Sequence, residues 1–350
     1  MNYLKRFKIN NTFIDNSEGP YIIAEIGSNH NQKLKNALKL LDIAAKNNCN
    51  AIKVQIIHPE GIAVNRESIY GKINNKFKKY SNNLFDLYSK CSLKFKEFKI
   101  LRNYAKKRNI DFIASVFCEK SLRDAIKLDI DAIKVASLEI YDHILLEKIS
   151  KQNKPVIISS GTADLTDIKK AINIFKKNKK IALLHCVSSY PAKYDEMNMK
   201  FISTLKSKFK IPIGFSDHTL DHFSAIVATA FGAAIIEKHI TLDRKMFGPD
   251  HFFSLDPKRL NIFMKKIFLT KKIIGRKNKI ISNSEKKISF KARRSIFSKN
   301  KIKKNEKITL KNIKIVRPGN GLKPELIKKI INKKIKKSIP SDYPISLDLF

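Results

Sequence analysis

Eight short apolar runs, each followed by a segment of helical spacing, constrain this chain more than any other feature. They are Tyr21 to Ile26, Ala51 to Ile56, Asp111 to Phe117, Asp131 to Ser137, Pro155 to Ser160, Ile181 to Val187, Ile211 to Phe215 and Ala233 to Glu237. Runs this hydrophobic read as strands buried on both faces, the signature of a parallel sheet covered by helices. The intervening segments, such as LKNALKLLDIAAK, FKEFKILRNYAKKR, LTDIKKAINIFKK and SAIVATA, repeat their apolar residues at three and four. A count of eight predicts a closed (β/α)8 barrel over an open doubly wound sheet. No GxGxxG follows the first run and no GxxxxGK[ST] occurs, so neither common nucleotide fingerprint is present.

A barrel of this kind carries its chemistry where the strands end, and reactive side chains do cluster at those ends: Glu25; Lys53 and Gln55; Ser115; Lys134, Ser137 and Glu139; Ser159, Ser160 and Gly161; His185, Ser188 and Tyr190; Ser216, Asp217 and His218; Lys238 and His239. Lys53 and Lys134 interrupt apolar strands, where an unpaired ammonium is costly, so an anion is expected to face them. Ser137, Ser159, Ser160, Gly161 and Ser216 supply hydroxyls and backbone N–H groups for phosphate or carboxylate oxygens. The stretch Gly214 to His251 holds four of the eight histidines. His218 and His239 end consecutive strands and are expected to hold one divalent ion, Mn2+ or Mg2+, with positions left open. Glu25, Glu139 and Asp250 are placed to hydrogen-bond a polyol or move a proton. His58, His143 and His222 read as ordinary structural histidines.

Composition narrows the class of partner. The formal charge of +40 would suit nucleic acid, but the lysines run along the whole chain beside an equal excess of Asn and Ile, as in KKIINKKIKK. All three residue types have AT-rich codons, and no RNA-binding aromatic signature or tryptophan accompanies them. Cys49, Cys91, Cys118 and Cys186 form no CxxC pair, which points away from disulfides and structural zinc and towards a reducing cytoplasm. The N-terminus lacks an apolar signal core, and the longest apolar run, Ala225 to Ile236, is too short to span a bilayer. A cytoplasmic protein without membrane partners is expected.

Past the helix around Leu260 to Ile274, composition shifts to Lys, Asn and Ser. Residues 1–275 are expected to form the barrel, 276–291 a linker and 292–350 a small β-rich domain.

The ordered set AEIGSNHN, IKVQ, FIASVF, IKVASLEI, IISSGTAD, LLHCVSSYP, GFSDHT, GAAIIEKHITLDRKMFGPDH, RRSIF and VRPGNGL resembles the sialic acid (N-acetylneuraminate) synthases from about Tyr21 to at least Leu322. The resemblance implies condensation of phosphoenolpyruvate with N-acetylmannosamine or a related N-acyl hexose in a metal-containing TIM barrel, followed by an antifreeze-like (SAF) domain. Carried over by motif, phosphoenolpyruvate would be held by Lys53, Ser115, Lys134, Ser137, Ser159, Gly161, Ser188 and Ser216, and the metal by His218 and His239. Glu25, Gln55, Glu139, Tyr190 and Asp250 would face the sugar, with Arg317 of VRPGNG reaching in from the partner of a domain-swapped homodimer. Glu25 would stabilise a cation or shuttle a proton, and His218 and His239 complete the catalytic set. Two positions depart from the pattern: the STPF-like segment reads SVF, and Ser188 stands where some relatives have Asn. The resemblance also covers legionaminate synthases and, more distantly, pseudaminate synthases, which would take a 2,4-diacetamido-6-deoxy hexose. Two readings from other classes are a non-catalytic sugar-binding protein and a basic nucleic-acid-binding protein.

Overall fold

A computed structural model describes residues 3–350 apart from 74, 177 and 277, and apart from the side chains of 76 and 290. The chain divides into two compact units, Met1–Gly275 and Arg276–Phe350.

The first unit opens with a small antiparallel hairpin, β1 (Phe7–Ile9) and β2 (Thr12–Ile14). Eight parallel strands follow: β3 (Tyr21–Glu25), β4 (Ala51–Ile56), β5 (Asp111–Val116), β6 (Ala132–Val135), β7 (Val156–Ser159), β8 (Ile181–Cys186), β9 (Ile213–Asp217) and β10 (Ile235–His239). They hydrogen-bond in sequence order, and β10 pairs with β3 to close the barrel.

Because side chains alternate along a strand, each strand builds two different cores. Ile52, Val54 and Ile56 of β4, or Phe112, Ala114 and Val116 of β5, point out and pack with helical residues such as Ala37, Leu40, Leu41 and Ala44. Those four lie on one face of the helix Leu34–Lys46, at the spacing read from the sequence. The inward set at the N-terminal end, including Ile23, Ala51, Ile113, Ala132, Ile157, Ala182, Leu184 and Ile235, forms a separate cluster with Phe7, Ile9 and Ile14 of the hairpin. The hairpin, whose strands are too short to stand out by pattern, is therefore the floor of the barrel.

The polar insertion after β4 adopts short 3-10 turns, Pro59–Gly61 and Ile69–Gly71, and one helix, Leu84–Ser89. The last helix of the unit runs Pro257–Ile274, opened by the Asp256 side chain accepting from Arg259 N–H.

In the second unit, a helix occupies Asn283–Ala292, all but its last residue in the segment expected to be linker, and Ser282 and Glu285 close a capping box at its start. Strands β11 (Ser295–Ser298) and β12 (Ile313–Val316) pair antiparallel. Eight isoleucines from Ile296 to Ile345, together with Leu349, give this small unit its own buried core. Among the described residues no helix is long and apolar enough to cross a membrane.

Candidate active site

One layer above the apolar floor, the inward positions turn polar together. Glu25, Lys53, Ser115, Lys134, Ser159, Cys186, Ser216 and Glu237 come one from each strand, and the ladders set Glu25 opposite Lys53, Ser115 opposite Lys134, Cys186 opposite Ser216 and Ser216 opposite Glu237. All eight are buried. Burial makes any unpaired member costly, so their pairing defines the site.

Lys53 is the hub of one half. Its Nζ lies 2.8 Å from Glu25 Oε2 and 3.6 Å from Glu237 Oε1, and donates to Ser115 Oγ at 3.0 Å. Gln55 Nε2 donates to the other oxygen of Glu25 at 2.8 Å. The anion expected opposite Lys53 is thus supplied by the protein's own carboxylates. Burial raises the Glu25 pKa against the pull of Lys53. Glu237 is also penalised by burial, yet Lys134, Lys53 and the two histidines hold its carboxyl down at about 2.

Lys134 differs from Lys53. Among the described residues it has no carboxylate within ion-pair distance; Nζ donates to Ser159 Oγ at 2.6 Å and to the Val135 carbonyl at 2.9 Å. Desolvation lowers its pKa. Nearby, Gly161 N–H donates to Ser137 Oγ at 3.1 Å. A Cβ at Gly161 would stand 2.2 Å from Ser188 Oγ and 2.8 Å from Ser137 Oγ, so only glycine lets these groups converge. Ser188 Oγ is buried without a hydrogen-bond partner among the described residues. A buried cation, an N–H group and converging hydroxyls make a cradle for an anion.

The histidines stand on the other side. His218 Nδ1–H donates to the Val187 carbonyl at 2.8 Å, which orients the ring and leaves Nε2 3.4 Å from Ser216 Oγ. Burial disfavours charge on His218, but Cys186, with Sγ 3.7 Å from Nδ1, draws its pKa up. Burial pushes His239 down to about 3, and its Nδ1 has no hydrogen-bond partner among the described residues. The two ring centroids are 6.0 Å apart, and Tyr190 lies 4.2 Å from His218 and 6.3 Å from His239.

Loops complete the rim. Asp250 Oδ2 accepts from Ser28 N–H at 2.9 Å and Ser28 Oγ at 2.7 Å. Gly27 has φ +54° and leaves room for Asp250 and the His239 ring where a Cβ would intrude. Glu139 sits on the 3-10 turn Leu138–Tyr141 that follows β6, and burial pushes its carboxyl up to about 7. Arg317 belongs to the second unit, where it is exposed and Nε donates to the Ala292 carbonyl at 2.7 Å.

Three strand-end residues of the sequence reading face away from the interior. His185 bonds the Met197 carbonyl and packs on Phe201, while Asp217 and Lys238 pair with one another in the wall. Their neighbours occupy the inward positions. Glu237, the last residue of the apolar run Ala233 to Glu237, is instead central, 3.6 Å from Lys53 and bonded by Ser216. A carboxylate two residues before His239 shares its face of the strand, and that spacing was the available signal.

The NeuB family model matches residues 40–279 and the SAF domain model residues 293–350. The chain belongs to the NeuB family. It is 38% identical to an uncharacterised protein of Methanocaldococcus jannaschii over 97% of both chains. It is 35% identical to the N,N'-diacetyllegionaminic acid synthase of Campylobacter jejuni, covering 92% of this chain and 97% of the other. Among solved structures, the N-acetylneuraminic acid synthetase of Leptospira borgpetersenii superposes with a TM-score of 0.71 at 34% identity, over 81% of this chain and 95% of that one.

Proposed function

We propose that this NeuB-family enzyme condenses phosphoenolpyruvate and water with an N-acylated hexose, N-acetylmannosamine or its 2,4-diacetamido-6-deoxy counterpart, releasing a nonulosonate and phosphate. The observation that carries the reading is Lys134, a buried lysine beside Ser159 with no carboxylate within ion-pair distance among the described residues, in the same mouth as the convergent Ser137, Gly161 and Ser188. That set suits the phosphate and carboxylate of phosphoenolpyruvate. Ser115, which accepts from Lys53, and Ser216, which donates to Glu237 Oε1 at 3.1 Å, would extend these contacts. Glu139, Tyr190, Asp250 and Gln55 would meet the sugar's hydroxyls.

In the reaction, C3 of phosphoenolpyruvate bonds to the aldehyde carbon of the open-chain sugar, whose oxygen takes up a proton. Positive charge develops at C2, and water adds there, losing a proton. The C2–O bond to phosphate then breaks, the electron pair leaves with the phosphate, and the C2 hydroxyl passes its proton to the departing phosphate as it becomes the carbonyl. Negative charge on Glu25 and Glu237 would stabilise the C2 cation, and Lys53 between them offsets part of the cost of burying that charge. Holding both substrates in one closed well supplies much of the acceleration.

The donor set fits a divalent ion: His239 is kept neutral with an orphaned nitrogen, and His218 turns Nε2 inward. His218 and His239 would hold Mn2+ or Mg2+, with remaining positions left to water and substrate oxygens, and the bound ion would supply Lewis acidity towards the aldehyde. The reading includes a homodimer in which Arg317 serves the neighbour's site. It also includes a cytoplasmic location, supported by four free thiols.

Phosphate release from phosphoenolpyruvate, measured with each candidate sugar, tests the proposal. Release dependent on one N-acyl hexose, with an 18O bridge label recovered in phosphate, is the expected result. No sugar-dependent release with any of them overturns it. The Campylobacter relative makes the diacetamido sugar an essential arm of the assay.

A further inference from the structure

The β9–β10 ladder pairs Phe215 with Ile236, Ser216 with Glu237 and, as its last rung, Asp217 with Lys238. His218 and His239 are the next residue on each chain. Alternation places Ser216 and Glu237 inside the barrel and Asp217 and Lys238 in the wall, and brings the two histidines back to the inner side. Lys238 Nζ lies 3.0 Å from Asp217 Oδ2, and the two side chains are 2% and 0% exposed.

The contacts extend past the rung. Lys238 Nζ also donates to the Thr219 carbonyl, while Asp217 Oδ1 accepts from Thr219 N–H at 2.9 Å and Thr219 Oγ1 at 2.7 Å. The residue before His218 and the residue after it are thereby tied to the residue before His239. His218 has other anchors: its ring on Val187 and its carbonyl on Ala192 N–H at 3.0 Å, both on the loop after β8. On the inner side Nε2 lies 3.4 Å from Ser216 Oγ, which donates to Glu237 Oε1 of β10 at 3.1 Å, so Asp217 and Lys238 are the wall-side tie between the two strands.

A buried ion pair is not what stability alone favours, because a well-packed apolar pair of similar volume is often as stable. We infer that Asp217 and Lys238 are positioning residues whose wall-side pair sets the spacing of His218 and His239. The inference rests on the metal reading proposed above. Outer contacts that orient ligands commonly change metal affinity by roughly 10–100-fold.

The test is Mn2+ titration of the metal-stripped protein, with free Mn2+ read by electron paramagnetic resonance. Lys238→Met is expected to weaken binding by about tenfold or more, and Lys238→Arg to recover most of the loss. Arg102→Met, which breaks a buried pair with Asp131 at 2.9 Å by the barrel's other end, serves as the structural control and should leave Mn2+ affinity unchanged. Should Lys238→Met fail to fold, the apolar exchange Asp217→Leu with Lys238→Met leaves no lone buried charge and is measured in its place. Either variant binding Mn2+ within twofold of the parent overturns the inference alone. If His218→Ala with His239→Ala binds Mn2+ as the parent does, the metal reading falls and the inference with it.

Discussion

At the residue scale the site is a set of buried charges that stabilise one another. Lys53 neutralises Glu25 and Glu237 at 2.8 and 3.6 Å. Lys53→Met would strand two carboxylates in the barrel and is expected to cost about 3–5 kcal/mol, measured by urea unfolding. Adding Glu25→Gln should recover part of that loss. Glu139 gives a pH signature. Burial raises its folded-state pKa from 4.5 to about 7, so the proton it holds stabilises the fold fully below about pH 4.5. That contribution is lost as pH rises towards 7. Unfolding of the ligand-free protein followed across this window should show the decline, and Glu139→Gln should remove it. Individual reactive positions were legible because charged and hydroxyl residues stand out in apolar runs. The direction each one faces was not. Lys238 and His239 are neighbours in sequence, yet one belongs to the wall and the other to the site, and Glu237 was hidden because it ends a run read as wholly apolar.

At the level of elements, the eight barrel strands were legible because each is apolar on both faces, and their helices because the apolar residues repeat at three and four. The hairpin was not, since three-residue strands carry too little pattern to separate from a loop. Only the closed barrel explains why Ile9 and Ile14 are apolar, for they meet the inward residues of strands far along the chain. Truncating Ile9 or Ile14 to Ala is expected to destabilise the first unit by about 2–5 kcal/mol, seen as a lower urea midpoint, while kcat at saturating substrate stays unchanged. The helix Asn283–Ala292 shows the converse limit. Its capping box, Ser282 with Glu285, was written in the sequence. A Lys-rich composition concealed it.

For the whole molecule, the proposed exchange of Arg317 between partners predicts complementation. Arg317→Ala and Lys134→Ala proteins, each impaired alone, should regain activity when mixed and allowed to exchange subunits, because one mixed site carries both wild-type groups. Activity that stays at the sum of the separate proteins would remove the exchange. The hairpin floor has a kinetic consequence as well. With one end closed by packed isoleucine and phenylalanine, the barrel is a blind well, and whatever enters must leave by the same opening. On the proposed assignment phosphoenolpyruvate occupies the strand layer around Lys134 and Ser159, while the sugar meets Glu139, Tyr190 and Asp250 on the loops above. Depth then dictates order. The phosphorylated acid must arrive first, and a sugar already seated would lock it out, so excess sugar should inhibit competitively against phosphoenolpyruvate in steady-state rates.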